Sequence, residues 1–186
     1  MKTRWHNNLT YRLEMSVIRL RDLFRSPARV LLDIAVRPGM TVLDFGCGPG
    51  GFSLAAARLV GPQGRVYAID VEPLALKSVR RAAARAGLTN LHAISPDVMA
   101  EVPAESVDVV LLYDVLHGNP EADSTHSILQ SLHRVLKPAG VLSVSDHHVK
   151  EAPLLSIVTG GGLFRFARGG PRTFQFEKLT LSEVLP

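Results

Sequence analysis

The sequence predicts an α/β domain built around a mainly parallel sheet, and three observations carry that expectation. Past Gly39, short apolar runs alternate with amphipathic helical stretches, which is the pattern of repeated βαβ units. The run 42–45 passes directly into a glycine-rich turn and then into a helical pattern. Further along, the β-prone runs 163–167 and 172–177 flank Arg168-Gly169-Gly170-Pro171, which predicts a hairpin and therefore an antiparallel pair.

The elements follow in order. Over 11–24, Leu13, Val17, Leu20 and Phe24 fall at helical spacing with arginines between them, predicting an amphipathic helix ahead of the main fold. Ser26 is expected to cap a second helix with its side chain, Pro27 suits that helix's first turn, and Pro38-Gly39 ends it. Strands are predicted at 41–45, 65–70, 91–95, 107–113 and 141–146, and helices at 52–60, 73–86 and 122–136. Gly61-Pro62-Gln63-Gly64, Ala86-Gly87 and Lys137-Pro138-Ala139-Gly140 supply turn chemistry between them. Between Asp146 and the hairpin the reading allows only a short link. A chain of 186 residues without internal repeats is expected to be a single domain, residues 1–186, with 1–38 as a helical cap and 39–186 as the core.

Composition narrows the classes. Apolar residues make up 46% and charged residues 20%, a balance that buries a core. No stretch of about eighteen apolar residues follows the basic N-terminus, so neither secretion nor membrane spanning is expected. Cys47 is the only cysteine, which excludes an internal disulfide or a cysteine-rich metal site and fits a cytoplasmic protein. A monomer or homodimer is expected. The net charge is +4, with seven arginines before Gly39; these read as a solvated helix surface or as a footprint for nucleic acid.

The sharpest local feature is Val42-Leu43-Asp44-Phe45-Gly46-Cys47-Gly48-Pro49-Gly50-Gly51. Glycines let a ligand approach the backbone, and the helix that follows offers a partial positive end. Gly46, Gly48 and Gly51 also satisfy the dinucleotide fingerprint, so the glycines alone leave an NAD(P) oxidoreductase open. Asp44 discriminates better: its carboxylate would be repelled by a diphosphate and attracted to the cationic amino acid end of S-adenosylmethionine (SAM). Pro49 removes one N–H from the turn and points the same way. Asp70, at the end of the second strand, is placed to accept hydrogen bonds from both ribose hydroxyls under either reading.

With these motifs in place the chain resembles the class I SAM-dependent methyltransferases. The resemblance rests on the Asp44 turn, Val66-Tyr67-Ala68-Ile69-Asp70, the run 106–117 from Ser106-Val107-Asp108 to Leu116-His117, and Leu132-His133-Arg134-Val135-Leu136-Lys137-Pro138-Ala139-Gly140, and it covers about 40–144. It implies a Rossmann-like seven-stranded sheet with an antiparallel C-terminal strand and helices on both faces. It also implies that SAM is held by Asp44, Gly46, Cys47, Gly48, Gly50, Asp70, Val71 and Tyr113, with Asp97 near the adenine amino group and Val98 against the ring.

Ligands of such sheets bind beyond the carboxyl ends of the strands, which makes Tyr113, Asp114, His117, Asp146, His147 and His148 the further candidates. Asp114, His117 and Asp146 are the candidate catalytic residues, with His117 serving either as a base toward an oxygen or nitrogen nucleophile or as packing. A metal at Asp146-His147-His148 is not expected, because consecutive strand residues face opposite ways; a polar lining of the substrate mouth is. His126 and His133 read as helix surface and Cys47 as a turn filler. The function expected is in-line methyl transfer to a small-molecule acceptor, with the 11–24 helix as a lid. A nucleic-acid methyltransferase is the main alternative: Pro49-Gly50-Gly51-Phe52-Ser53 is similar to the turn of RNA ribose methyltransferases, yet Asp146 stands where those carry lysine. A SAM-binding protein without catalysis is a third.

Overall fold

The computed structural model describes residues 26–118, 122–170 and 173–180. The helix expected over 11–24 lies outside them. In chain order the elements are α1 (Pro27–Asp33), β1 (Thr41–Phe45), α2 (Gly51–Val60), β2 (Arg65–Ile69), α3 (Pro73–Arg85), β3 (Leu91–Ile94), β4 (Val107–Tyr113), α4 (Ala122–Val135), β5 (Leu136–Ser145), α5 (Glu151–Thr159), β6 (Phe164–Gly169) and β7 (Phe174–Lys178). Short 3-10 turns occupy Pro96–Glu101 and Leu116–Gly118.

The strands form one seven-stranded sheet in the order β3-β2-β1-β4-β5-β7-β6. β1 to β5 run parallel, and β7 lies antiparallel to both β5 and β6, as the hairpin signal required. Strands enclosed on both faces lose polar alternation, which is why Val109-Val110-Leu111-Leu112 reads as a continuous apolar run. Val109 and Leu111 join Val42 and Val66 under α1 and α2, while Val110 and Leu112 join Leu43, Leu142 and Val144 under α4 and α5. Leu76 and Val79 of α3 cover Ala68 and Ala93 beside the first of these cores. The order reverses between β1 and β4, and in sheets of this topology the carboxyl ends of the strands open a ligand crevice at that point.

Three expectations need correction. The segment 146–163 is more than a link, since it contains α5, whose Pro153 sits in the tolerated first turn and whose Leu154 and Val158 are buried. Its apolar run lacks polar spacing and hides the helical period. Lys137-Pro138-Ala139-Gly140 is not a turn ahead of the strand but a bulge within β5: Val107 pairs with Leu136, and two residues later Val109 pairs with Val141. Ser26 makes no side-chain cap; its carbonyl accepts the N–H of Arg29 at 3.0 Å instead.

No helix among the described residues is long and apolar enough to cross a membrane.

Candidate active site

The glycine turn folds over the end of β1. Gly46 has φ +77°, and a Cβ there would run into the Val115 side chain; Gly48 has φ +50° and nothing within 4 Å of where its Cβ would be. The first glycine is thus demanded by the protein's own packing, while a Cβ at the second would meet open space. The turn's amides are directed inward. Gly46 and Cys47 donate to the Ile69 carbonyl at 2.8 and 2.9 Å, Gly48 donates to Asp70 Oδ2 at 2.8 Å, and Gly50 donates to the Cys47 carbonyl at 3.0 Å. With Pro49 lacking an N–H altogether, the turn offers a diphosphate little of the outward-pointing amide nest it needs.

Two carboxylates flank the turn. Asp44 is only 3% exposed and accepts a hydrogen bond from the Ser53 hydroxyl, which is fully buried in the first turn of α2. Asp70 accepts from Gly48 through one oxygen and from the Glu72 N–H, at 2.9 Å, through the other. Burial raises the Asp70 carboxyl above the usual carboxylate range, although the N–H groups of Glu72, Gly48 and Val71 pull the other way. Each carboxylate oxygen has a second acceptor site, so these backbone bonds do not exhaust the capacity of Asp70 to accept from a ligand. Val71 beside it is 76% exposed, an apolar side chain presented at the crevice rim. Asp97 is exposed on the Pro96–Glu101 turn, and Val98 next to it is half-buried.

Two candidates belong to the interior. Tyr113 is buried, its hydroxyl paired with Ser143 Oγ at 2.8 Å and its ring edge-on to Phe52 at 4.8 Å, so it packs in the core at the end of β4. Burial raises its phenol far above its ordinary value. Cys47 is buried against α3; burial, then the charges of Asp44 and Asp70, raise its thiol until no thiolate forms near neutrality. The turn-filler reading of Cys47 agrees with this.

Beyond β4 and β5 the structure brings together residues 29 to 33 positions apart. His117 donates its backbone N–H to Asp146 Oδ2 at 3.0 Å, and its ring Nδ1 lies 3.0 Å from the same oxygen. Asp146 also accepts the His148 N–H at 3.0 Å. Burial alone would raise the Asp146 carboxyl, but the N–H and imidazole of His117 and the N–H of His148 outweigh it and hold it below the ordinary range. An ionised carboxylate only accepts, so Nδ1 of His117 carries a proton, and in the neutral ring the lone pair then lies on Nε2. The His117 side chain is 37% exposed.

A second pair mirrors the first. His147 offers its N–H at 3.2 Å and its Nδ1 at 2.5 Å to Asp114 Oδ1, and Asp114 itself sits at φ +55°. The His148 ring lies between the other two, 4.3 Å from His117 and 3.9 Å from His147. Asp146, His147 and His148 lie in a turn past the end of β5, so strand alternation does not separate them as the sequence reading assumed. Among the described residues no cluster of histidine, cysteine and acidic side chains has the geometry of a metal site. Sequence reasoning missed the role of Ser53 and the pairing of His147 with Asp114; the only prior signal for the first was a hydroxyl in the first turn after the glycines. His133 also departs from expectation, since its Nε2 lies 2.8 Å from the Leu179 carbonyl and it is half-buried.

Comparison with known proteins supplies the chemical context. Residues 37–160 match a family model described as a methyltransferase domain. The chain is 33% identical over 134 residues to ribosomal RNA large subunit methyltransferase E of Pseudomonas fluorescens, covering 64% of this chain and 63% of that protein. It is 32% identical over 127 residues to demethylmenaquinone methyltransferase of Geobacillus stearothermophilus, covering 68% of this chain and 53% of that protein. The chain therefore spans less than two thirds of the length of either curated relative. A SAM-dependent methyltransferase from Aquifex aeolicus superposes with a TM-score of 0.69 at 25% identity, over 82% of this chain and 88% of that one.

Proposed function

Because the chain belongs to the class I SAM-dependent methyltransferase family, we propose that it methylates a small-molecule acceptor whose oxygen or nitrogen carries a dissociable proton. Its cofactor is SAM. The site suits that molecule: a buried acid lies near the end of β1 ahead of the turn, Gly48 borders open space, and an acceptor carboxylate stands beside an exposed apolar side chain. Bound there, SAM supplies a methyl group already activated on a cationic sulfur, open to in-line displacement.

The chain's own residues position and deprotonate. With SAM bound, Asp44 would oppose the charge of its ammonium, Asp70 would accept from the ribose hydroxyls, Val71 and Val98 would pack on the adenine, and Asp97 would accept from its amino group. Orientation of this kind supplies about 7 to 11 kcal/mol of the barrier reduction in favourable cases. His117 Nε2 takes the acceptor's proton as the nucleophile attacks, and Asp146 holds the ring in the required tautomer and stabilises the imidazolium that results. The His117–Asp146 contact is the observation that carries this reading, because a methyl acceptor without a dissociable proton has no use for it.

A second reading, methylation of RNA, is supported by the name of the Pseudomonas relative and by the Pro49-Gly50-Gly51-Phe52-Ser53 turn. One experiment separates the two. The protein is incubated with methyl-labelled SAM and with the metabolite and RNA fractions of a cell extract, each supplied separately. Label in the metabolite fraction is expected; label confined to RNA, or none in either, would sink the small-molecule proposal.

A further inference from the structure

Two buried polar side chains near the turn face each other across an element boundary. Asp44 belongs to β1 and Ser53 to the first turn of α2, and both are almost wholly withdrawn from solvent. Ser53 donates its hydroxyl to Asp44 Oδ2. A carboxylate in a low-dielectric setting is costly unless its lone pairs are met, and its torsion is soft about the terminal bond, so a buried hydroxyl donor stabilises its charge and restrains its plane. Phe52, the residue before Ser53, is edge-on to Tyr113, which anchors that first turn against β4. The hydroxyl is thus presented to Asp44 from a rigid support.

We infer that Ser53 is the positioning residue that aims Asp44, and that it sets the protein's preference for ligands bearing an amino acid end with its ammonium over ligands bearing adenosine alone. The inference rests on the reading of the crevice as the SAM site. A carboxylate has about four acceptor sites, so the hydroxyl occupies one and, by restraining the plane, governs how the group meets the ammonium. Ser53 touches no ligand itself; it acts through Asp44.

The test compares two neutral thioethers, S-adenosylhomocysteine and 5′-methylthioadenosine. Both carry the same adenosine and neither carries a sulfonium charge, so their affinity ratio isolates the amino acid end. Isothermal titration is run on the wild-type chain, on Ser53→Ala, and on Ser53→Cys, which keeps nearly the original volume but only a weak donor. The wild type is expected to favour S-adenosylhomocysteine. Both Ser53 variants are expected to lower that ratio about tenfold while leaving the 5′-methylthioadenosine affinity in place, and in an Asp44→Asn background Ser53→Ala is expected to change the ratio no further. If both ligands weaken in equal proportion, Ser53 is a packing residue and the inference fails while the cofactor reading stands. If the wild type binds neither thioether, the cofactor reading fails and takes the inference with it. If Ser53→Ala does not fold, Ser53→Cys decides on the same criterion.

Discussion

His117 and Asp146 are joined twice, once through a backbone N–H and once through an imidazole nitrogen, both reaching the same carboxylate oxygen at 3.0 Å. The double contact fixes where the ring sits as well as which nitrogen bears its proton. Replacing Asp146 with asparagine keeps the shape but permits the other tautomer. Asp146→Asn is expected to lower kcat by about a hundredfold or more, with S-adenosylhomocysteine affinity unchanged in titration, and His117→Gln is expected to do the same. A normal kcat in both variants would show that the acceptor needs no base.

Asp146 should also contribute to acid sensitivity. Its carboxyl lies below the ordinary range in the fold, so its contribution to stability is fully present above the unfolded-state value of about 4 and is lost as pH falls through the lower, folded value. Denaturant midpoints measured from pH 7 down to pH 2 should decline less steeply in Asp146→Asn than in the wild type.

Asp70 shifts the opposite way. Its carboxyl is raised by burial, so it protonates at a higher pH than an ordinary aspartate and then loses acceptor capacity. S-adenosylhomocysteine affinity should therefore fall as pH drops, starting above the usual carboxylate range, and Asp70→Ala should abolish binding. For stability the sign reverses: the raised group favours the fold below its unfolded value, and that benefit is lost as pH rises through the folded value.

The two glycines should respond differently to alanine. Gly46→Ala meets Val115 and a left-handed backbone together, and should lower stability by about 2 to 3 kcal/mol. Gly48→Ala meets only the backbone penalty, about 1 to 2 kcal/mol, but puts a methyl group into the crevice. Thermal melts should rank Gly46→Ala as the less stable, and titration should find the greater loss of S-adenosylhomocysteine affinity per unit of lost stability in Gly48→Ala.

Cys47 should resist alkylation. Its buried, raised thiol should react with iodoacetamide only after unfolding, and mass spectrometry of the native protein after an hour should find it unmodified.

Much of the fold was legible because its signals are local. Val107 to Tyr113 announces a doubly covered strand by composition alone, and Asp44 and Asp70 announce themselves by position at strand ends. What the sequence concealed depends on distance through space. The Asp114–His147 pairing arises only because β4 and β5 are neighbours, and no spacing along the chain encodes it. Tyr113 ends the same strand as the crevice residues, yet its direction follows from the alternation Val109, Leu111, Tyr113 toward α1 and α2. The short helix Glu151–Thr159 was hidden for a different reason: Leu154 and Val158 are buried, but Ala152, Pro153 and Ile157 on its exposed side are apolar as well, which erases the periodic contrast by which helices are recognised.

The insertion of β7 between β5 and β6 has a consequence for biosynthesis. During translation β5 is complete long before 174–178 leave the ribosome, and β6, though made earlier than β7, has no seat in the sheet until β7 arrives. For that interval the nascent domain carries an apolar strand with one margin bare, open to pairing with any extended peptide nearby. Successful expression therefore depends on how quickly the last strand threads home, and slow elongation over that stretch would favour inclusion bodies over native protein.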